Sequence, residues 1–247
     1  MKNIVIVTAK GSNTTIQNKN LIPIQGIPCV NYPIRAAKFS DKTDEIFMST
    51  EDAVIKKLSL KEGIKVIDRP AELSTPTSLH RDVILHAVQE VDKIHPEAEN
   101  FIVLLGNTVH INHRVIDQAF GLLESGDCDS VATVWKAQDD HPFRALQVNE
   151  NGFAESYLKQ NVGSNRQSYP SIYFYDQGVW AFKKKCAYEQ KGPSPWVWLG
   201  EKCFLLERPW VTGRDIHTWI DVAASVFYLN DIQVNDIHEY PIIKPGQ

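Results

Sequence analysis

Residues 3–20 read NIVIVTAKGSNTTIQNKN, a buried strand followed at once by a polar loop. Residues 3–8 are nearly all apolar and rich in β-branched side chains, as expected for a strand buried on both faces. The loop consists of small and hydroxyl residues, which let the backbone approach a ligand closely and present amides to phosphate oxygens. A solvated surface loop with the same two lysines, Lys10 and Lys19, would have this composition too. The sequence therefore predicts a buried strand here, and the role of the loop stays open.

Strands and helices alternate outward from this stretch. Further strands are predicted at 45–49, 64–67, 101–105 and 130–135, and helices at 30–39, 52–62, 79–91 and 112–123. Such alternation is typical of right-handed β-α-β units and of a mostly parallel sheet. The predicted fold class is therefore α/β. In sheets of this kind ligands bind beyond the carboxyl ends of the strands, where the connecting loops converge.

The pattern changes after residue 135. Residues 141–175 alternate short apolar stretches with turn sequences, which predicts hairpins instead of crossover helices. We expect residues 136–177, approximately, to form a small hairpin insertion within a single domain that spans residues 1–247. The insertion would serve as a dimerisation arm or as a lid. Strand character returns at 178–182 and 204–207, and a helix is predicted at 218–230.

Composition excludes several classes of protein. The 247 residues carry a formal net charge of −4, which gives no general attraction to nucleic acid or to an anionic membrane. No apolar stretch is long enough to span a bilayer, and the amino-terminal run is too short for a signal peptide. The four scattered cysteines suit buried thiols in a reducing cytoplasm. We therefore expect a cytoplasmic protein that binds any anionic ligand through a local group of basic residues.

Five segments carry a resemblance to a known family. Residues 4–37, IVIVTAKGSNTTIQNKNLIPIQGIPCVNYPIRAA, are similar to the opening of CMP-sialic acid and related nonulosonate (acylneuraminate) cytidylyltransferases, roughly I-P-A-R-x-G-S-K-G-I-P-x-K-N-x-x-x-x-x-G-x-P-L-I. The positions kept at matching spacing are Ala9, Ile16, Lys19, Asn20, Gly26 and Pro28. The other segments, in the family's order, are STED at 49–52, RPAELSTPTSLHRDVILHAV at 69–88, RQSYP at 166–170 and DIHTWID at 215–221. The chain thus resembles a divergent member of that family over nearly its whole length.

The resemblance implies a single Rossmann-like, GT-A-like nucleotidyltransferase domain and a defined reaction. CMP would pass from CTP to a nonulosonic or related acidic sugar, with release of pyrophosphate, for the synthesis of surface glycans. The sugar's anomeric hydroxyl would attack the α-phosphorus, so the protein must mainly position the reactants and supply positive charge. The implied cofactor is Mg²⁺, with Mn²⁺ as the alternative, and the implied assembly is a homodimer.

The same resemblance implies a role for each matching residue. Catalytic roles fall to Lys10, Lys19 and Asp215. Nucleotide contacts fall to Ala9, Lys10, Gly11, Asn20, Arg69, Ser78, Gly106 and Asn107, with Ser78 near the base and ribose. The edge of the sugar pocket falls to Arg166 and Gln167, and the metal site to Asp215 and His217.

Departures from the family pattern keep other functions open. Lys10 and Thr14 replace an arginine and a lysine, GNTVH at 106–110 replaces a segment with a glutamine, and His217 replaces a second aspartate. Magnesium prefers oxygen ligands, so an imidazole suits a softer metal or a hydrogen bond to phosphate. The alternatives are a nucleotidyltransferase with another nucleotide or a phosphorylated acceptor, and a relative that binds a nucleotide or sugar without catalysis.

Simpler structural interpretations apply to several of the same residues. Arg69 would suit a solvated charge at a strand end, and Asp215 would suit a cap for the helix that starts near residue 218. Asp221 fits a favourable charge near that helix's positive end better than a metal ligand. Three histidines are predicted near the loops of the site, namely His80, His110 and His113.

Overall fold

The computed structural model describes residues 2–11, 16–159 and 163–244. Its strands are β1 (Lys2–Thr8), β2 (Pro23–Ile24), β3 (Ile27–Pro28), β4 (Glu45–Thr50), β5 (Lys65–Asp68), β6 (Ala98–Leu105), β7 (Ser130–Lys136), β8 (Leu146–Val148), β9 (Ala154–Ser156), β10 (Tyr173–Lys183) and β11 (Cys203–Glu207). Its α-helices are α1 (Asn31–Lys38), α2 (Ala53–Lys61), α3 (His80–Ile94), α4 (His113–Ser125), α5 (Lys184–Glu189), α6 (Trp219–Asn230) and α7 (Ile232–Asn235).

A central sheet organises the fold. Within the described ranges it has seven strands, in the order β11-β7-β10-β6-β1-β4-β5. Strand β1 pairs in parallel with both β4 and β6, and the pairs β4–β5 and β7–β11 are parallel as well. The predicted α/β class with a mostly parallel sheet is confirmed.

Strand β1 is buried on both faces, as its sequence predicted. Val5 and Val7 pack into one hydrophobic cluster with α1 and α4, while Ile4 and Ile6 pack into another with α3 and α5. A third, smaller cluster lies between the β2–β3 hairpin and α6, around Ile24 and Ile216. No helix in the described ranges combines the length and the apolarity that a membrane span requires.

Strand β10 departs most from the sequence-based prediction. It begins at Tyr173, so the last part of the expected insertion belongs to the central sheet, and it runs antiparallel to β6 and β7. The direction follows from the path of the chain, since β7 ends at Lys136 and Tyr173 pairs with that same residue. A chain that re-enters the sheet at the edge where it left must run in the opposite direction.

Between these two strands the chain forms a small hairpin. Strands β8 and β9 pair antiparallel with each other in a sheet of their own. The β2–β3 hairpin was not predicted. Its turn residues, Gln25 and Gly26, adopt the positive φ values of 48° and 79° that a tight hairpin turn requires. Helices α5 and α7 were not predicted either, since both are too short for a clear periodicity.

A buried ion pair holds β10 in place. The side chains of Asp176 and Arg208 are wholly buried, and Asp176 Oδ2 lies 3.0 Å from Arg208 Nη1. The same carboxylate accepts hydrogen bonds from Gly178 N and from the hydroxyls of Thr133 and Thr212. Gln177, between these contacts, has a φ of 57°, and the pairing of β10 with β7 is irregular here. Gln177 is thereby fixed at the carboxyl edge of the sheet.

Candidate active site

A cavity of about 410 Å³ opens at the carboxyl ends of β1 and β6. Its lining residues are Thr8, Ala9, Lys10, Lys19, Asn20, Arg69, Leu73, Thr75, Ser78, His80, Val83, Leu105, Asn107, Gln177, Asp215 and His217. This is the edge at which parallel sheets of this type bind ligands. Residues far apart in the sequence, with basic, acidic and amide side chains, therefore share one space.

The floor of the cavity depends on Gly106. Its amide donates to Thr8 O at 2.9 Å, and a Cβ at this position would lie 2.7 Å from Ala9 Cβ. No side chain fits there without displacing the end of β1. Gly106 is not one of the lining residues. The structure therefore gives it a packing role, and its predicted contact with the nucleotide stays a prediction.

The loop after β1 is tied back onto itself by Asn20. Asn20 Nδ2 donates to Lys10 O at 2.8 Å, and Asn20 O accepts from Val30 N at 2.9 Å. Lys10 and Lys19 both line the cavity. Burial lowers the pKa of Lys19, and the carboxylate of Asp215 partly opposes that shift. Asn20, which follows Lys19, therefore ties the backbone of Lys10 to that of Lys19.

Arg69 is a buried cation in the cavity wall. It is 7% exposed, and its guanidinium donates to Ser49 O at 2.5 Å and to Ser49 Oγ at 3.3 Å. Burial lowers its pKa to about 10, so the side chain keeps its charge at neutral pH. The alternative of a solvated charge at a strand end is wrong.

Asp215 is held by two neighbours. Its Oδ2 accepts from Asn107 Nδ2 at 2.7 Å and lies 2.9 Å from His217 Nε2. Burial would raise the pKa of Asp215, but the contacts with His217 and Asn107 and the charge of Lys19 lower it on balance. Asp215 is therefore an anion next to the lysines.

The interpretation of Asp215 as a helix cap is wrong. Thr218 is the N-cap of α6, and Asp221 Oδ2 accepts from Thr218 N at 2.6 Å and from His217 N at 2.9 Å. Asp221 also pairs with Arg214 at 2.9 Å. The interpretation of Asp221 as a charge at the positive end of the helix is confirmed, and Asp215 is left to face the cavity.

The donors near Asp215 fit a metal that takes most of its ligands from elsewhere. The described residues contain no group of three or more His, Cys, Asp or Glu side chains that could hold a metal ion. Mg²⁺ commonly binds through one or two carboxylates, with phosphate oxygens and water completing its shell. One carboxylate, Asp215, satisfies that need only when a phosphate ligand is present. A metal role for Asp215 and His217 stays a prediction.

Two further polar residues line the side formed by the 71–80 segment. Ser78 Oγ donates to Glu72 O at 2.9 Å and accepts from Thr75 N at 3.0 Å, which closes the turn before α3. His80 packs edge-on against Trp180 with ring centroids 5.2 Å apart. Desolvation within the cavity and, secondly, the charge of Arg69 lower the pKa of His80. The predicted contact of Ser78 with base and ribose stays a prediction.

Other predicted residues lie away from the lining. His110 is buried behind the cavity, where Nε2 lies 3.2 Å from Ser225 Oγ and burial lowers its pKa to about 3. His113 begins α4 and is not a lining residue. Gln167 is exposed in the turn Arg166–Ser168 and does not reach the cavity of its own chain. The side chain of Arg166 and all of Thr14 lie outside the described residues, so these roles stay predictions.

A second cavity of about 370 Å³ adjoins the first. His80 and Gln177 line both cavities, and the second has walls of aromatic rings from Trp180, Trp196 and Trp198. The sequence contained the aromatic residues, but it did not show that they enclose a space beside the polar cavity. Gln177 was also missed, because its place depends on the irregular strand β10.

Comparisons with known proteins agree with this architecture. A family model described as cytidylyltransferase matches residues 4–173. The N-acylneuraminate cytidylyltransferase of Streptococcus agalactiae serotype V is 24% identical over 193 residues, which is 77% of this chain and 46% of that protein. The pseudaminic acid cytidylyltransferase of Campylobacter jejuni serotype O:2 is 25% identical over 184 residues, 74% of this chain and 78% of that protein. The chain thus spans about half the length of the streptococcal relative.

Solved structures show the same fold at low sequence identity. CMP:2-keto-3-deoxy-manno-octonic acid synthetase complexed with CTP has a TM-score of 0.67 at 15% identity, and the match covers 93% of this chain and 99% of that one. The 4-diphosphocytidyl-2C-methyl-D-erythritol synthase of Anaerococcus prevotii has a TM-score of 0.65 at 15% identity, covering 93% and 96%. Both matches span nearly all of both chains, so the fold is shared as a whole.

The role of Gly106 predicts the effect of one added methyl group. Gly106→Ala forces the ends of β1 and β6 apart, so we expect a loss of about 1–3 kcal/mol in the free energy of unfolding, measured by urea denaturation. Gly121→Ala is the control, since its Cβ meets only Lys42 Cε at 3.7 Å and alanine favours the helix. Equal stability of the two variants would show that the floor is not tightly packed.

Proposed function

Because the chain belongs to the cytidylyltransferase family, we propose that it transfers CMP from CTP to an acidic sugar and releases pyrophosphate. The observation that carries this proposal is the meeting of Lys10, Lys19, Arg69 and Asp215 in one cavity at the carboxyl edge of the sheet. Two relatives are named for N-acylneuraminate and pseudaminic acid, and a protein of the same fold was solved with CTP. These names support CTP and an acidic sugar as the substrates. Surface glycans are the proposed destination of the product.

The cations act on the charge of the triphosphate. As the anomeric oxygen bonds to the α-phosphorus, the bond to the β-phosphate oxygen breaks and negative charge collects on the departing pyrophosphate. Lys10, Lys19 and Arg69 are placed to stabilise that charge, and Arg69 does so from a buried, fixed position. The attacking hydroxyl gives up its proton to water in the same step. The protein's contribution is therefore orientation and positive charge.

Asp215 would hold the metal ion. A bound Mg²⁺ would supply further positive charge at the phosphates, and Mn²⁺ would also accept the imidazole of His217. Asn107 fixes the orientation of the Asp215 carboxylate through its 2.7 Å hydrogen bond. The arrangement suits a metal that arrives with the nucleotide.

We assign the acceptor sugar to the aromatic cavity. Ring faces suit the apolar substituents and C–H surfaces of a sugar, and a few polar groups orient such a ligand. His80 and Gln177 lie where the two cavities join and can contact both substrates. A sugar bound against Trp196 and Trp198 would then face the nucleotide.

The β8–β9 hairpin supports a homodimer. Leu146 and Val148 lie on one face with exposures of 69% and 75%, opposite Ser156 and Ala154, while Gln147 and Glu155 pair on the other face. An isolated two-stranded hairpin is barely stable in water and needs a surface to cover its apolar face. A second copy of the chain is the proposed surface.

The cytoplasm is the proposed location of the protein.

Non-catalytic binding is the second candidate, and two contacts at Asp215 favour it. His217 Nε2 and Asn107 Nδ2 both approach Asp215 Oδ2, the oxygen that a metal would otherwise share. Pyrophosphate release from a panel of nucleoside triphosphates, with and without acidic eight- and nine-carbon sugars, separates the candidates. Release that needs both CTP and a sugar supports transfer. Release from another triphosphate indicates a different nucleotidyltransferase, and binding without release indicates the non-catalytic function.

Asp215→Asn removes the charge that a metal requires and keeps the size of the side chain. We expect kcat for pyrophosphate release to fall at least about 100-fold, the scale for loss of one transition-state charge contact. Asp68→Asn is the control, since that carboxylate is 83% exposed and lies outside the cavity. Unchanged kcat in Asp215→Asn would remove Asp215 from the reaction.

Trp196→Ala opens the wall of the aromatic cavity. We expect KM for the acceptor sugar to rise about tenfold, the scale for loss of one buried aromatic contact, while KM for CTP stays the same. Trp219→Ala, on the exposed start of α6, is the control. A rise in KM for CTP alone would place the nucleotide in this cavity instead.

Val148→Lys puts a charge on the apolar face of the hairpin. We expect sedimentation velocity to show a dimer for the wild-type chain and a monomer for this variant, because the charge cannot be buried without a partner. Gln147→Lys changes the polar face of the same strand and should leave the dimer intact. A monomeric wild-type chain, or a dimeric Val148→Lys variant, would contradict the hairpin interface.

A further inference from the structure

Glu51 lies in the STED segment, directly after β4, and does not line the cavity. We propose that it is a positioning residue, which fixes Lys10 for the triphosphate by joining two loops of the cavity wall. The inference rests on the proposed function, in that it takes Lys10 to bind a triphosphate. The resemblance gave this segment no role.

The two oxygens of Glu51 bind two different loops. Oε1 accepts from Gly11 N at 2.8 Å, and Oε2 accepts from Ser74 Oγ at 2.8 Å. Gly11 follows the lining residue Lys10, and Ser74 follows the lining residue Leu73. One carboxylate therefore sets the distance between the loop after β1 and the loop before α3. Ser74 is itself buried, with 8% exposure, so this contact is shielded from competing water.

The contact at Gly11 fixes a single peptide group at both ends. The peptide that joins Lys10 to Gly11 has its carbonyl bound by Asn20 Nδ2 at 2.8 Å and its N–H bound by Glu51 Oε1. With both polar atoms held, the peptide plane cannot rotate without breaking a hydrogen bond. The plane sets ψ of Lys10, and hence the direction in which its side chain leaves the backbone. A cation that is oriented before the ligand arrives loses less conformational entropy on binding.

Position 11 also requires glycine, for a steric reason. A Cβ there would collide with the side chain of Asp52, which caps α2 by accepting from Val54 N and Ile55 N at 2.9 Å. The loop after β1 thus rests directly on the start of α2. Glu51 and Asp52 therefore both contact this loop at Gly11.

The negative charge of Glu51 also favours the charged form of Arg69. Burial lowers the pKa of Arg69, and the Glu51 carboxylate opposes that shift. An acidic residue so near a site for an anion is unfavourable in itself. Its two oxygens are bound by Gly11 N and Ser74 Oγ, and Glu51 is not a lining residue of the cavity.

A double-mutant cycle between Glu51 and Lys10 tests the inference. Isothermal titration of the full chain with CTP, and separately with inorganic tripolyphosphate, would compare Glu51→Ala, Lys10→Ala and the double variant. Each single change should weaken binding about tenfold, the scale of one charge-assisted contact. The double variant should bind no more than about twofold more weakly than Lys10→Ala, because Glu51 acts through Lys10. Effects that multiply in full would overturn the inference, as would wild-type affinity in Glu51→Ala.

Glu51→Gln distinguishes positioning from charge. Its side chain can accept from Gly11 N and donate to Ser74 Oγ, so binding should stay within about threefold of wild type. The Gly11 amide should exchange with solvent faster in Glu51→Ala and at the wild-type rate in Glu51→Gln. If Glu51→Ala does not fold, Ser74→Ala removes one arm of the contact and should give a smaller loss of the same kind. Unchanged exchange at Gly11 in the variant used would overturn the inference.

The two proposals fail in different ways. If the wild-type chain binds tripolyphosphate but releases no pyrophosphate with any acceptor, the proposed function fails, and the cycle still decides the role of Glu51. If the wild-type chain binds neither CTP nor tripolyphosphate, Lys10 does not bind a triphosphate, and the inference about Glu51 is overturned.

Discussion

Residues 3–7 of strand β1 are buried on both faces of the sheet, and the rest of the structure follows from that constraint. A strand buried on both sides needs helices on both sides of the sheet, and parallel crossovers are the usual way to place them there. Parallel strands then end at one edge, so the loops after β1, β4 and β6 converge. The polar residues of those loops therefore form a cavity directly beyond an apolar core.

The cavity is completed by a contact that is distant in sequence. Asn107, just after β6, binds Asp215, just before α6, and Ile216 N returns a hydrogen bond to Asn107 O at 2.9 Å. The carboxyl-terminal part of the chain is thus attached to the central strands through Asn107, and this attachment places the Asp215 carboxylate at the cavity. Close packing at Gly106 brings β6 near enough to β1 for this attachment to face the lysines.

Local patterns in the sequence were sufficient for the parallel part of the sheet and for much of the site. The apolar runs of β1 and β6 and the family-like segments indicated Lys10, Lys19, Arg69 and Asp215, and all four line the cavity. The sequence could not show that Arg69 is buried, because its partner is Ser49 on another strand. Nor could it show the direction of β10, which depends on where the hairpin segment returns to the sheet. Glu51 and Gln177 were overlooked since their contacts lie in distant loops or in an irregular stretch of strand.

A crystal structure of the chain with CTP and Mg²⁺, in the absence of an acceptor, tests the central claim most directly. The account predicts triphosphate oxygens within hydrogen-bonding distance of Lys10, Lys19 and Arg69, the metal on Asp215, and an empty aromatic cavity beside them. A nucleotide bound in the aromatic cavity, or a triphosphate that contacts none of these cations, would contradict it.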